Sequence, residues 1–293
     1  MVTKAVLPVA GLGTRFLPTS KAVPKEMLNV VDQPAIQYVV EEAVNAGISE
    51  IVLVTHSSKR AIEDHFDTNY ELESELERKG KQELLDKIRN IIPSHVRVIA
   101  VRQPCALGLG HAVLCAREVV GNDPFAVLLP DVLVDGEPHC GADLQAMINR
   151  FQETGHAQVM VEQVEKARVE QYGIVYFSTE EPGRGAHAVM KGVVEKPTPE
   201  EAPTDLAVVG RYVLPAGIFD YLATTEPGVG GEIQLTDALD ELLQAEPMEA
   251  YNMTGRTFDC GNKFGYLEAT LYYGLRHPEV GDRLARMIRD LAN

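Results

Sequence analysis

A short apolar run, Ala5-Val6-Leu7-Pro8-Val9, ends directly in the glycine turn Ala10-Gly11-Leu12-Gly13-Thr14-Arg15-Phe16. Short, continuously apolar runs suit strands buried on both faces, and such strands belong to parallel sheets covered by helices. The pattern recurs at Glu50 to Thr55, Val96 to Val101 and Phe125 to Leu129, with helix-like segments between the runs. That alternation predicts right-handed βαβ units and a mostly parallel sheet. Between the first two strands, Ile36, Val39, Val40, Ala43 and Val44 share one helical face, with Pro34 near the start and Gly47 at the stop.

From Thr68 to Ile92 the chain is highly charged but keeps Leu72, Leu76, Leu84 and Leu85 at helical spacings, which predicts an exposed helical insertion. After Gly155 the signal becomes β-rich, at Gln158 to Val164, Gly173 to Phe177, Ala188 to Val194 and Ala207 to Leu214. Loops are expected at 180–185 and 198–204. Helices return at Ile233 to Ala245, Phe264 to Arg276 and Arg283 to Leu291. The expectation is a single α/β domain with a Rossmann-like half over 1–155, a β-rich half with mixed sheet over 156–262, and C-terminal helices over 263–293. Its ligands should sit beyond the carboxyl ends of the strands.

A chain of 293 residues, 45% of them hydrophobic, can bury one substantial core. No stretch approaches the roughly 18 to 20 apolar residues of a membrane span, and the N-terminus lacks a signal-peptide pattern, so a soluble, cytoplasmic protein is expected. Cys105, Cys115, Cys140 and Cys260 have neither disulfide-like nor zinc-like spacing. A net charge of −16 disfavours nucleic acid and anionic membranes as partners. Against that background the first 25 residues carry Lys4, Arg15, Lys21 and Lys25 and no Asp or Glu.

A local cationic patch beside a glycine turn points to phosphate. Ala10, Gly11 and Gly13 allow close backbone approach, while Arg15 can grip phosphate oxygens bidentately and Lys25 can act as a point charge. The turn lacks the third glycine of a dinucleotide fingerprint and the Gly-Lys-Ser/Thr of a Walker A loop, which disfavours a dehydrogenase and a P-loop enzyme. A second loop, Arg102-Gln103-Pro104-Cys105-Ala106-Leu107-Gly108-Leu109-Gly110-His111, follows the third strand. Gln103 there can read a nucleobase edge, or the loop's glycines can serve packing alone. His111 reads as a helix-start residue rather than a base. Asp131 leaves a buried strand at the same face, where a carboxylate suits Mg²⁺ that keeps waters and substrate phosphates; a helix cap or turn is the alternative. Asp259 makes a similar exit after Thr257-Phe258. Glu232, Thr236 and Asp237 read as helix-start residues.

The two segments from Ala10 to Pro18 and from Lys21 to Leu28 (Lys21-Ala22-Val23-Pro24-Lys25-Glu26-Met27-Leu28) resemble the signature of the sugar-nucleotide pyrophosphorylases, nearest in their uridylyl form. The likeness continues through Gln37 to Ala43, Ser58 to Phe66, Leu129 to Leu133, Glu195-Lys196-Pro197, Gly231 to Ala238 and Phe258 to Gly261, and so covers nearly the whole chain. It implies a nucleotidyltransferase fold, and transfer of a uridylyl group from UTP to glucose 1-phosphate with Mg²⁺. By the same resemblance Arg15 and Lys25 serve catalysis, and Ala10, Gly11, Gly13, Gln103 and Gly108 bind the nucleotide. Gly173, Glu195 and Lys196 bind the sugar phosphate, and Asp131 and Asp259 hold the metal. Members are commonly dimers or tetramers. The same chemistry on dTTP and a catalytically silent, nucleotide-sugar-binding homologue are the other readings.

Overall fold

The computed structural model describes residues 1–228 and 231–292; Val229, Gly230 and Asn293 lie outside it. The chain enters as β1 (Lys4–Pro8), makes a small hairpin of β2 (Asn29–Val30) and β3 (Gln33–Pro34), and runs through α1 (Ala35–Asn45) to β4 (Glu50–Thr55). Helices α2 (Arg60–Phe66), α3 (Tyr70–Arg78) and α4 (Gln82–Arg89) precede β5 (Arg97–Arg102), and α5 (Leu109–Leu114) and α6 (Arg117–Val120) precede β6 (Phe125–Leu128). Next come β7 (Val132–Asp135), α7 (Ala142–Thr154), β8 (Ala157–Gln163), β9 (Gly173–Phe177), β10 (His187–Glu195) and β11 (Leu206–Leu214). The chain closes through α8 (Ile218–Thr224), α9 (Leu235–Ala245), β12 (Met248–Asn252), β13 (Arg256–Asp259), α10 (Lys263–Arg276) and α11 (Gly281–Ala292).

Nine strands form one mixed sheet in the order β5-β4-β1-β6-β11-β8-β12-β10-β9. β5, β4, β1 and β6 run parallel, as the alternation of apolar runs and helices predicts. β11 then pairs antiparallel with both β6 and β8. The β-rich second half therefore continues the first sheet instead of building a separate one. Alternate residues of one strand serve opposite faces: Ala5, Leu7 and Val9 enter the apolar cluster that includes α1 and α7, while Val6 enters the cluster that includes α5, α8 and α9. Burial on both faces explains why the runs of β1, β4 and β6 are apolar without alternation, whereas β5, at the edge of the sheet, is only partly covered and departs from the expected double burial.

Five strands escape the sequence pattern: the two-residue β2 and β3, and β7, β12 and β13, the last three each for a local reason. β12 carries Glu249 inside the sheet, 2% exposed, because Arg150 takes its carboxylate in a two-point contact of 2.7 and 2.8 Å. β7 and β13 are short and pair with each other as an antiparallel ribbon, in which Asp259 stands opposite Val132. The charged insertion is helical, but it forms a hairpin broken at Gly80. Leu76 and Leu85 are buried while Leu72 and Leu84 stay out, so the insertion hides only part of its leucine pattern.

Candidate active site

β1 sits between β4 and β6, where the order of strands along the sheet reverses relative to the chain. The segments after β1 and β6 consequently part and leave a crevice beyond the carboxyl ends of the strands. A cleft of about 470 Å³ occupies it, lined by Ala10, Gly11, Gly13, Lys25, Gln103, Gly108 and Asp131 among others. A second cleft of about 270 Å³ lies on the far side of Leu129 and Asp131 and takes in Tyr172, Gly173, Glu195, Lys196 and Asp259. A wider outer groove of about 790 Å³ contains Arg15 together with Tyr172, Lys196 and Asp259. Asp131 belongs to the first two clefts, and Asp259 and Lys196 to the last two, so the three spaces open into one another around these side chains.

Lys25 Nζ donates to Asp131 Oδ2 at 2.5 Å. Burial opposes the charge on both partners, and their mutual attraction outweighs it: the Lys25 ammonium is held above the usual lysine range and the Asp131 carboxyl below the usual carboxylate range. Lys25 opens a turn of 3₁₀ helix, Lys25–Met27, set by Pro24. The next residue, Glu26, is 2% exposed and bonded to Lys59 Nζ at 2.8 Å, a buried pair that anchors this turn from beneath. The basic loop is thus fixed at one point by burial while its neighbouring cation points into the cleft.

Asp259 accepts from Gly261 N at 2.8 Å and from Asn262 Nδ2 at 2.8 Å, which orients its carboxylate. A Cβ placed on Gly261 would lie 2.9 Å from Asp259 Oδ1 and 3.0 Å from Asp131 Oδ2. Both carboxylates therefore face one small space that any larger residue at position 261 would fill. Two hard oxygen donors beside an open cleft fit a divalent cation of the Mg²⁺ type, which takes one or two protein carboxylates and completes its shell with water and phosphate. No group of three or more acidic, His or Cys side chains suited to a metal occurs among the described residues.

Gln103 is 5% exposed, and its amide nitrogen donates to Gly108 O at 3.1 Å and meets His111 Nδ1 at 3.0 Å. Gly108 takes φ +95°, and a Cβ there would stand 2.8 Å from both Glu232 Cβ and Ile233 O. Its glycine is demanded by the backbone of 232–233 packing over it, reinforced by the Gly110 N to Ile233 O and Ile233 N to Leu107 O bonds. The packing alternative for the glycines of this loop is therefore met at Gly108, which also lines the cleft. Lys4 departs from the cationic patch. It lies at the opposite end of β1, bonded to Asp123 Oδ2 at 2.7 Å and Val120 O at 2.9 Å.

Residues 4–274 match the family profile described as nucleotidyl transferase. A UTP–glucose-1-phosphate uridylyltransferase of Haemophilus influenzae is 55% identical over 291 residues, 99% of each chain. A UTP-bound UGPase from Acinetobacter baumannii is 57% identical and superposes with a TM-score of 0.93, covering 99% of this chain and 100% of that one. A UDP-glucose pyrophosphorylase complexed with UDP-glucose is 42% identical with a TM-score of 0.84, covering 94% and 100%.

The chain belongs to the nucleotidyl transferase family.

This nucleotidyltransferase gathers the expected site residues around the clefts, with Arg15 set apart on the outer groove. Glu195 and Lys196 pair with each other at 3.0 Å, and Lys196 has φ +47°, so the strand end at β10 turns sharply and both residues line the second cleft. Three residues expected at helix starts, His111, Glu232 and Thr236, and one not singled out, Gln234, also lie at the clefts or support them. His111 lies in the first turn of α5 and orients Gln103. Glu232 lines the first cleft, and Gln234 and Thr236 line the second. All three belong to the segment at the start of α9, and the close packing of that segment over Gly108 joins loops far apart in sequence.

Proposed function

We propose that this nucleotidyltransferase moves a uridylyl group from UTP to α-D-glucose 1-phosphate in a Mg²⁺-dependent reaction, giving UDP-glucose and pyrophosphate. The observation that carries the reading is the junction at Asp131: a larger cleft lined by the glycine turn and Gln103 and a second, smaller cleft lined by Glu195 and Lys196 share its wall, with Lys25 held there. Relatives bearing the uridylyltransferase name, and solved relatives bound to UTP and to UDP-glucose, support both substrates.

The uracil would lie against Ala10, Gly11 and Gly13, with Gln103 and Gly108 at its edge. Gln103's amide nitrogen is engaged by Gly108 O and His111, so its carbonyl oxygen is the atom to accept from the base N3–H. Gly173, Glu195 and Lys196 would hold glucose 1-phosphate: Glu195 by the sugar hydroxyls and Lys196 by the phosphate. A phosphate oxygen forms a bond to the α-phosphorus of UTP as the bond from that phosphorus to the departing pyrophosphate oxygen breaks. The nucleophile is already anionic at neutral pH, so the protein need supply no base. Lys25 would neutralise charge at the reacting phosphoryl group, and Arg15, on the outer groove, would take the pyrophosphate as it leaves. Asp131 and Asp259 would hold Mg²⁺, which when bound offsets phosphate charge.

The test is pyrophosphate release from glucose 1-phosphate with UTP, dTTP, ATP and GTP in turn, with and without Mg²⁺. Fastest turnover with UTP is expected. Faster turnover with dTTP would replace the uridylyl reading, and binding of UDP-glucose without turnover would make the protein a sensor. We also propose a cytoplasmic homodimer or homotetramer that uses the exposed stripe Phe264, Leu267, Leu271 and Leu275 of α10. Light scattering that reports a monomer refutes it. No described helix is long and apolar enough to cross a membrane.

A further inference from the structure

The largest fully buried side chain in the protein is Arg211, at 0% exposure in the middle of β11. A buried guanidinium is costly unless every donor is met. Here the donors find partners from three directions. Nε and Nη2 take the Glu42 carboxylate of α1 at 3.0 and 2.8 Å. Nη1 donates to Leu129 O at 3.0 Å and, more weakly, to Gly210 O at 3.4 Å, and Nη2 also donates to Val132 O at 2.6 Å. All five N–H groups of the fork are thereby used.

The identity of the carbonyl partners matters. Leu129 and Val132 bracket Pro130-Asp131, so one rigid planar group clamps the backbone on both sides of the residue that joins the nucleotide and sugar clefts. The strand is deformed to bring it there. β11 shifts register between Val208 and Tyr212, and Gly210 takes φ +77°, a conformation that favours glycine. A Cβ on Gly210 would stand 2.6 Å from Leu129 Cδ1, and Leu129 N donates to Gly210 O at 3.0 Å. The bulge therefore seats the 129–132 turn on β11 and turns Arg211 beneath it. Glu42 supplies the balancing charge from α1, whose first residue is tied to the basic loop through Ala35 N to Leu28 O at 3.0 Å.

We infer that Arg211, balanced by Glu42, is a positioning residue for nucleotidyl transfer: it touches neither substrate and acts by fixing the 129–132 turn so that Asp131 meets Lys25 across the cleft junction. The inference rests on the proposed uridylyl transfer. Lysine can replace the charge but not the planar fork, and it has three donors for the partners that the guanidinium now satisfies.

Arg211→Lys therefore should lower kcat per folded site by about tenfold or more, with UTP affinity by calorimetry within about threefold of wild type, since the proposed base contacts at Gln103 and Gly108 lie elsewhere. Arg150→Lys is the control. It weakens another buried-carboxylate ion pair, to Glu249, far from the clefts, and should leave kcat unchanged. If Arg211→Lys does not fold, the double change Glu42→Leu with Arg211→Met replaces the pair by apolar groups, a swap that buried pairs tolerate, and is read in its place. A folded variant with wild-type kcat, or equal losses in the Arg211 and Arg150 variants, overturns the positioning role. Absence of UTP turnover in the wild-type protein measured alongside would instead overturn the proposed reaction.

Discussion

Lys25 Nζ and Asp131 Oδ2 stand 2.5 Å apart although 106 residues separate them in the chain. Asp131 follows the end of β6, and Lys25 opens the 3₁₀ turn at the far end of the loop that leaves β1, the neighbour of β6 in the sheet. An ammonium held against a carboxylate at a phosphate site is poised for redistribution: substrate phosphates can compete for the cation, and a divalent ion for the carboxylate.

Lys25→Ala is expected to reduce kcat about a hundredfold while changing the UTP KM much less, because the charge is needed most as the phosphoryl group transfers. Steady-state kinetics with UTP varied at saturating glucose 1-phosphate separates the two. A loss confined to KM would assign Lys25 to ground-state binding.

Arg15 lies exposed at the outer groove, which suits a group that meets the leaving pyrophosphate. Arg15→Lys should lower kcat/KM by about tenfold, since an ammonium cannot reproduce the two-point fork. The reverse reaction, started from UDP-glucose and pyrophosphate, should show the larger KM change for pyrophosphate. Unchanged kinetics in both directions would make the residue peripheral.

Chelation of divalent cations should abolish turnover, with recovery on adding Mg²⁺. Asp259→Asn keeps the carbonyl acceptor for Gly261 N but removes the charge, so it should raise the Mg²⁺ concentration needed for half-maximal rate. A variant with the wild-type Mg²⁺ dependence would leave Asp131 as the single carboxylate involved.

Gly108→Ala should cost about 2 kcal/mol of stability, because it adds a Cβ in contact with Ile233 O and forces a positive φ on a residue that disfavours it. Urea unfolding measures the loss. The same change should weaken UTP binding, since Gln103 hangs from the Gly108 carbonyl.

Glu249 gives the fold an acid-sensitive anchor. Burial opposes its charge, but hydrogen bonds from Arg150, Gln158 and His156 outweigh that and pull the carboxyl down to about 2, from an ordinary 4.5. A carboxyl lowered on folding stabilises the native state fully above its unfolded value and progressively less as pH falls toward its folded one. Glu249→Gln should therefore destabilise by about 2 kcal/mol at pH 7. The gap between wild type and variant in urea unfolding should narrow as pH falls from 4.5 toward 2. A gap independent of pH would mean that packing, not charge, accounts for the loss.

Much of this protein is legible in its linear order. β1, β4 and β6 announce themselves because both faces of each are buried, which leaves continuous apolar runs that no helix period explains, while β5 shows a similar run although it is the half-exposed edge strand. The glycine turn and its cations read as a phosphate site because turn geometry and local charge are properties of neighbouring residues. Asp131 is recognisable for the same reason, as a carboxylate at the end of a buried strand. What stayed hidden depends on contacts across the chain. Glu249 inside β12 looks like a solvent-facing residue until Arg150, 99 positions away, is seen against it. Arg211 sits in an apolar run with no partner visible beside it in the sequence, and at Gly108 packing and ligand contact are equally compatible with the local residues. Only packing reveals that one clamps the 129–132 turn and that the other yields to the backbone of 232–233. Local chemistry is written in adjacent residues, whereas the burial of a charge and the aim of a side chain are set by partners that the sheet order brings together.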